Sequence, residues 1–193
     1  MVQADLIIQQ TKNWITSFII PLKLCPFAKY VIDHNTIRFS VSLALTEQLA
    51  LADLRNEMIN LESNKTIETT IVIFPVLFKD FLTYLDFTAL AEKKLIKKQY
   101  AGIYQLATFH PNYYFADAES QDVTNYTNRS PYPMVHILRE ESIEQAIAFY
   151  GDTEEIPLNN IALLRKLGLE KVIKLISNAN PMACSNNNIE DLS

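Results

Sequence analysis

The chain has 193 residues, of which 49% are hydrophobic and 20% are charged, as in ordinary globular domains. Its formal net charge of −5 argues against general nucleic-acid binding, which needs a basic surface. Because the chain has only three glycines, the Gly-rich phosphate loops of Walker and dinucleotide-binding proteins are excluded.

The sequence predicts a cytoplasmic protein with no membrane partner. No apolar run reaches the roughly 18 residues that a membrane-spanning helix needs. The N-terminus lacks the basic segment and the small-residue cleavage site of a signal peptide. Cys25 and Cys184 lie far apart and neither belongs to a CxxC pair, so a zinc ribbon and a dithiol redox motif are not expected.

The first half of the chain alternates between helical and strand patterns. Helical spacing of apolar residues stops at Pro21, and alternation of apolar and polar residues begins at Ile37. A β-branched run that Pro75 ends is typical of a buried strand. The predicted elements are a helix over 4–20, a turn over 24–28 that opens a helical segment to about Ile32, a strand over 37–43, an amphipathic helix over 46–62 and a strand over 69–74.

The second half begins with a long helical pattern and ends with shorter ones. Gly102, Gly151 and Gly168 are placed to end helices, and Ser142 with Gln145 has the pattern of a capping box. The predicted elements are a helix over 77–98, a strand over 103–109, a long loop over 111–133, a strand over 134–139 and helices over 143–150, over 154–167 and onward to 176.

These elements predict an α/β (or α+β) fold with a small mixed, partly parallel sheet of about four strands. Helices are expected to cover the sheet, and a long ordered loop precedes the last strand. That last strand is expected to form an antiparallel or mixed edge. The predicted globular domain spans residues 1–176, and the Asn- and Ser-rich residues 177–193 are predicted to form a flexible tail.

The loop at 111–133 holds the densest group of side chains that can contact a ligand. Loops of this length are usually functional or disordered, and the many aromatic residues here favour order. Ligands of open α/β sheets bind outside the carboxyl ends of parallel strands, where His110 lies. If the last strand runs antiparallel to the strand before the loop, Asn128, Arg129 and His136 come close to His110.

Two arginines are candidate substrate-binding residues. Arg129 offers a planar, five-donor fork that suits a carboxylate or a phosphate, and the alternative is an ion pair with Glu140 or Glu141 or hydrogen bonds to loop carbonyls. Arg139 lies within an apolar run, so a structural pair with a nearby carboxylate is its default interpretation.

His110, His136 and Cys25 are the candidate catalytic residues. An imidazole titrates near neutral pH and can transfer protons, but each histidine can equally fill a core or pin a loop. Cys25 precedes Pro26, which suits the first position of a helix, and a thiol at a helix N-terminus is favoured as thiolate. The alternative is a buried, inert cysteine. No metal is predicted, because the two histidines match no recognised ligand spacing.

The other candidate substrate-binding residues are polar or aromatic members of the loop. The polar ones are otherwise ordinary turn and cap residues. The aromatic side chains can clamp a planar ligand, offer a surface for assembly, or form a mini-core that holds the loop down. These candidates are Asn128, Ser130, Tyr126 and Tyr132.

Several motifs resemble a bacterial family catalogued as domain of unknown function fourteen-fifteen. The longest is Asn125-Tyr126-Thr127-Asn128-Arg129-Ser130-Pro131-Tyr132-Pro133. The shorter ones are Leu24-Cys25-Pro26-Phe27-Ala28, Glu68-Thr69-Thr70, Phe109-His110-Pro111 with Tyr113 and Phe115, His136-Ile137-Leu138-Arg139-Glu140-Glu141-Ser142, and Asn160-Ile161 with Leu164-Arg165 and Leu167-Gly168. The resemblance covers residues from about 8 to 170. It implies a soluble single-domain bacterial protein of unassigned activity, and it brings no catalytic residues with it.

The residues do not decide between catalysis and binding. The first hypothesis is an enzyme that acts on a small anionic metabolite bound by Asn128, Arg129 and Ser130, with His110 or His136 moving the proton. The second is a non-catalytic binding or assembly module that uses the aromatic loop, with a homo-oligomer as one form of it. The third is a thiol-dependent protein that uses Cys25. The sequence points to no particular cofactor.

Overall fold

The N-terminal helix predicted over 4–20 forms, but its last turn is wider than an α-helix. In the computed structural model, which describes residues 2–97, 100–150 and 155–179, helix α1 spans Val2–Trp14 and a π-helical turn spans Ile15–Ile19. The backbone N–H of Ile20 donates to the carbonyl of Ile15 at 2.9 Å, five residues back. Such turns are rare and often lie at functional sites.

A short connection and the first strand pair follow. Helix α2 spans Ala28–Asp33, strand β1 spans Ile37–Val41, helix α3 spans Glu47–Ser63 and strand β2 spans Thr69–Ile73. The hydroxyl of Thr46 accepts the backbone N–H of Leu49 at 3.3 Å and so caps the start of α3. Strands β1 and β2 are parallel, as a strand–helix–strand order predicts.

Helix α4 spans Phe81–Lys97 and begins later than the predicted 77. The carboxylate of Asp80 accepts the backbone N–H of Thr83 at 2.8 Å, which fixes the helix start. Phe78 has a φ of 64°, a left-handed conformation that cannot belong to the helix. Gly102, expected to end this helix, lies instead in the turn before the next strand, with a φ of 80°.

The sheet has the strand order β1-β2-β4-β3, where β3 spans Tyr104–Phe109 and β4 spans Met134–Arg139. Strand β4 is antiparallel to both of its neighbours. The sheet is therefore mixed and partly parallel, and the predicted α/β class is confirmed. The expectation that the last strand forms an edge is wrong, because the long loop carries β4 back between β2 and β3. Its residues Met134, Val135 and Ile137 are fully buried, as suits a central strand.

The C-terminal helices are α5 (Glu140–Tyr150), α6 (Ile156–Leu167) and α7 (Leu169–Ala179). Helix α5 begins directly after β4, so Ser142 lies within its first turn and the predicted capping box does not form. Glu140 and Glu141 suit the positive end of the helix. Gly168 ends α6 with a φ of 78°, as predicted. Helix α7 runs past the predicted domain end at 176, while Gly151 and the tail from 180 onward lie outside the described residues.

Side chains that alternate along the strands divide the core into two layers. Val72, Phe74, Val135 and Ile137 face helices α3 and α4. The opposite face packs against α1, the π-turn, α6 and α7, and its buried strand residues are Ile71, Ile73 and Met134. Each fully buried large apolar side chain contributes roughly 1.5–3 kcal/mol to folding. Within the described residues, no helix has both the length and the apolar character needed to cross a membrane.

Candidate functional site

His110 pins the long loop to the rest of the fold. Its Nε2 donates to the carbonyl of Phe78 at 2.8 Å, and its Nδ1 accepts the backbone N–H of Asn112 at 3.0 Å. The side chain is 1% exposed, and burial lowers its pKa below the ordinary value of a histidine. Since both ring nitrogens already form hydrogen bonds within the protein, this imidazole stabilises the loop in its observed position.

The guanidinium of Arg129 is also used within the loop. Its Nε donates to the carbonyl of Tyr113 at 3.0 Å, and Nη2 donates to the carbonyl of Ser120 at 2.5 Å. The group lies over the ring of Tyr126, 4.6 Å from the ring centre. These contacts match the alternative that the sequence left open, hydrogen bonds to loop carbonyls. Arg129 also borders a small depression of about 400 Å³ beside Lys79.

The other polar loop candidates make local hydrogen bonds. Asn128 donates through Nδ2 to the carbonyl of Thr108 at 3.0 Å, which ties the loop to β3. The hydroxyl of Ser130 donates to the carbonyl of Tyr132 at 2.6 Å. The hydroxyl of Tyr132 donates to the side chain of Gln10 in α1, and burial raises the pKa of this phenol.

Asn125 holds the long loop together through side-chain hydrogen bonds to the main chain, a role that the sequence did not predict. The side chain is fully buried, and its Oδ1 accepts the backbone N–H of Phe115 at 3.1 Å. Its Nδ2 donates to the carbonyls of Glu119 and Ser120 at 2.8 and 3.3 Å. A buried amide with every group paired makes a loop specific and rigid.

Arg139 caps the end of helix α3 through main-chain carbonyls and not through the expected carboxylate. Its guanidinium donates to the carbonyls of Leu61, Asn64 and Ile67. It also lies 5.8 Å from the centre of the Tyr104 ring. Last-turn carbonyls of a helix lack partners within the helix, so a cation there is favourable. The expected carboxylate partner is therefore replaced by backbone oxygens.

A cavity of about 600 Å³ lies against the face of the sheet that α1 and α6 also cover, and we call it the sheet-face cavity. Its floor is formed by strand side chains, and its walls are formed by the π-turn, the connection from 24 to 31, the first turns of α5 and one residue of α6. The floor residues are Ile37, Thr69, Ile71, Gln105, Ala107, Phe109, His136 and Leu138. The cavity brings Cys25, Asn128, His136 and Arg139 together and leaves out His110 and Arg129.

His136 is the central polar group of the cavity floor. In the sheet register it lies between Ile71 of β2 and Ala107 of β3. Its Nε2 is 2.5 Å from the hydroxyl oxygen of Thr69, whose own hydrogen bond runs to the carbonyl of Ile137 at 2.7 Å. Burial lowers the pKa of His136 from 6.5 to about 4, so the imidazole is neutral at neutral pH.

Cys25 lines the same cavity as a half-buried free thiol. The expectation that it begins a helix is wrong, because α2 starts at Ala28 and Pro26 lies in the preceding turn. Burial raises the pKa of the thiol, although hydrogen bonds from the backbone N–H groups of Phe27 and Ala28 oppose this shift. The protonated thiol is therefore favoured over the thiolate, in the direction of the buried, inert cysteine that the sequence also allowed. Cys184 lies outside the described residues.

Two further wall residues, Trp14 and Asn160, were not among the candidate site residues. Trp14, the only tryptophan, packs edge-on against Phe109 with 5.6 Å between ring centres, and its Nε1 finds no hydrogen-bond partner among the described residues. Asn160 of α6 donates to the carbonyl of Leu24 at 2.9 Å and holds the connection that carries Cys25. Among the residues that the structure describes, no three His, Cys, Asp or Glu side chains are grouped to hold a metal ion.

Residues 6–174 match the model of a family described as "Protein of unknown function (DUF1415)". The chain belongs to this family. The match confirms the resemblance drawn from the Asn125–Pro133 motif, and the family's description names no activity. Neither the curated proteins nor the solved structures contain a match to this member of the family.

The long Asn125–Pro133 motif meets the cavity at two residues, and the shorter motifs meet it at Leu24, Cys25, Phe27, Ala28, Glu68, Thr69, Phe109, His136, Leu138, Arg139, Ser142 and Asn160. Thr127 and Asn128 line the cavity, whereas Asn125, Arg129 and Ser130 make the hydrogen bonds that shape the loop. Thr69 was missed as a site residue because it reads as one more β-branched residue of a buried strand. Its spacing of two from Ile71 was the signal that could have placed it on the cavity face.

Proposed function

We propose that the chain binds a small, mainly apolar molecule in the sheet-face cavity. The observation that carries this proposal is the make-up of the cavity: about 600 Å³ of space, mostly apolar walls, and a few polar groups that include His136. Small-molecule sites commonly have this size and this balance. A ligand that buries on the order of 200 Å² of apolar surface gains roughly 5 kcal/mol before the cost of its lost motion.

An anionic ligand on the Arg129 loop is less well supported. The Nε and Nη2 of Arg129 already donate to carbonyls, and its flat face lies against Tyr126. Assembly through the aromatic loop is also less well supported, because Tyr126 and Tyr132 pack against one core layer and Tyr113 against the other. These contacts favour the mini-core interpretation of the loop.

Helix α5 offers a matched pair of variants that tests the proposal. Ala146 lines the cavity, whereas Ala148, two positions on, is exposed and lies outside it. Ala146→Phe places a ring in the cavity, and Ala148→Phe adds the same ring to the surface. The probes are a panel of medium-chain alcohols and alkylphenols, and the readouts are Trp14 emission and the melting temperature.

We expect at least one probe to change Trp14 emission and to raise the melting temperature of the parent chain. Ala146→Phe should weaken this binding about tenfold or more, because the ring removes ligand space. Ala148→Phe should bind as the parent does. If no probe acts on the parent, or if both variants bind alike, the cavity is not a ligand site.

A thiol-dependent reaction in the same cavity is the second candidate function. The observation that favours it is that a free thiol, Cys25, and an imidazole, His136, line one cavity. N-ethylmaleimide, a neutral and mainly apolar reagent, should then alkylate Cys25 in the folded chain, and a bound probe should slow the reaction. Mass spectrometry of the peptides reads the modification. A Cys25 that reacts only after unfolding would argue against thiol chemistry here.

A further inference from the structure

The Thr69 hydroxyl donates its hydrogen to a main-chain carbonyl. The Oγ1 atom is 2.7 Å from the carbonyl oxygen of Ile137, and a carbonyl can only accept. A hydroxyl has one hydrogen, so Oγ1 must turn a lone pair toward its second neighbour. That neighbour is Nε2 of His136, at 2.5 Å.

This arrangement favours Nε2 as the nitrogen of His136 that carries the proton. Because Oγ1 of Thr69 acts as an acceptor toward the ring, Nε2 must be the N–H donor. A neutral imidazole has only one N–H, so Nδ1 keeps its lone pair. The opposite tautomer would place two lone pairs against each other at the short Thr69 contact.

No hydrogen bond joins Nδ1 of His136 to the part of the chain that the structure describes, at 2–97, 100–150 and 155–179. The ring lines the cavity with apolar Ile71, Ala107 and Phe109 beside it on the floor, and Glu68 and Arg139 are the charged residues of the lining. A lone pair in such surroundings attracts an O–H or N–H group of a ligand and repels a carboxylate or phosphate oxygen.

We propose that the cavity prefers molecules that carry a hydrogen-bond donor, such as a phenol or an alcohol, over matched molecules that lack one. The donor binds Nδ1 of His136, and Thr69 is the positioning residue that fixes the ring in the accepting tautomer. This inference rests on the proposed function, because it assigns a ligand class to the same cavity.

A pair of matched probes tests the selectivity directly. Para-butylphenol and para-butylfluorobenzene have nearly the same shape, but fluorine replaces the hydroxyl donor in the second. Isothermal titration should show the phenol binding about tenfold more tightly, since only the phenol can donate a hydrogen bond to Nδ1. His136→Gln should abolish the preference, because its Nε2 amide can still donate to Thr69 while the Nδ1 acceptor is lost.

The positioning role of Thr69 has its own readout in the nitrogen NMR shifts of the imidazole. The parent chain should show Nε2 protonated and Nδ1 unprotonated, and His136→Gln identifies the signals among the three histidines. Thr69→Val keeps the side-chain shape but removes the acceptor, so the tautomer should become mixed and the phenol preference should shrink. Thr69→Ser should restore both. If Thr69→Val does not fold, Thr69→Ser and the parent spectrum still decide the assignment.

The outcomes separate this inference from the proposed function. Equal affinity for the two probes overturns the selectivity but leaves the cavity as a ligand site. An Nδ1–H tautomer in the parent chain overturns the role of Thr69. If neither probe binds and the wider panel also fails, the proposed function falls and the selectivity falls with it.

Discussion

Replacing His136 by Gln should change how the stability of the chain depends on pH. Burial lowers the pKa of this imidazole from 6.5 to about 4 in the folded chain. Below pH 6.5 the unfolded chain therefore binds a proton that the folded chain does not bind. The free energy of unfolding should fall as the pH decreases from about 6.5 to about 4, and this loss is absent above neutral pH.

The magnitude follows from the size of the pKa change. A pKa that falls from 6.5 to about 4 corresponds to about 3 kcal/mol once the pH is below both values, at roughly 1.4 kcal/mol for each pKa unit. Between about pH 7 and about pH 5, the loss from this one group amounts to about 2 kcal/mol. Burial also lowers the pKa of His110, which adds a loss of the same sign to both proteins.

Urea unfolding at a series of pH values, followed by circular dichroism, measures the effect in the parent chain and in His136→Gln. Subtracting the two curves removes the contributions of His110 and of the carboxylates. The variant should lose about 2 kcal/mol less than the parent between about pH 7 and about pH 5. Parallel curves would refute the reasoning, because His136 would then titrate alike in the folded and unfolded chains.

Three further substitutions test the structural roles of hydrogen-bonding side chains, two assigned above and one at Tyr84, and urea unfolding measures each of them. Arg139→Met should lower the free energy of unfolding by about 2–4 kcal/mol, because three carbonyls near the end of α3 lose their hydrogen-bond donor. An unchanged free energy of unfolding would contradict the role of Arg139 as the cap of α3. Asn125→Ala should lower the free energy of unfolding by about 2–4 kcal/mol and speed proteolysis of the loop at 111–133. A loop that resists proteolysis as in the parent chain would show that other contacts are enough to hold it in place. Tyr84→Phe should lower the free energy of unfolding by about 1–3 kcal/mol. The Tyr84 hydroxyl donates to the carbonyl of Met134 and accepts the backbone N–H of Phe109, and the variant loses both hydrogen bonds. A loss below about 0.5 kcal/mol would contradict their contribution to stability.

Local patterns were sufficient to predict most of the fold. Alternation of apolar and polar residues predicted β1, the β-branched run predicted β2, and Gly168 predicted the end of α6. Each of these signals acts within a few neighbouring residues. The start of α4 was placed too early because the left-handed backbone at Phe78 left no local signal. The central position of β4 depends on pairing with strands far away in sequence, which no local pattern reports.

The candidate site was predicted less well than the fold, for a physical reason. Arg129 and His110 have side chains that commonly bind ligands, but the same hydrogen-bonding capacity lets them secure a long loop from within. The sequence shows the capacity of a side chain and not its partner. His136 and Cys25 were chosen for their chemistry, and they share a cavity only because the sheet register and the connection after the π-turn bring them together.

Nuclear Overhauser effects between para-butylphenol and methyl-labelled isoleucine and leucine side chains test the central claim most directly. That claim is that the sheet-face cavity, and not the depression beside Arg129, receives the ligand. We predict cross-peaks from the bound probe to the methyl groups of Ile15 and Ile71, which line the cavity. Cross-peaks confined to Leu82, which borders the depression beside Arg129, would contradict the account.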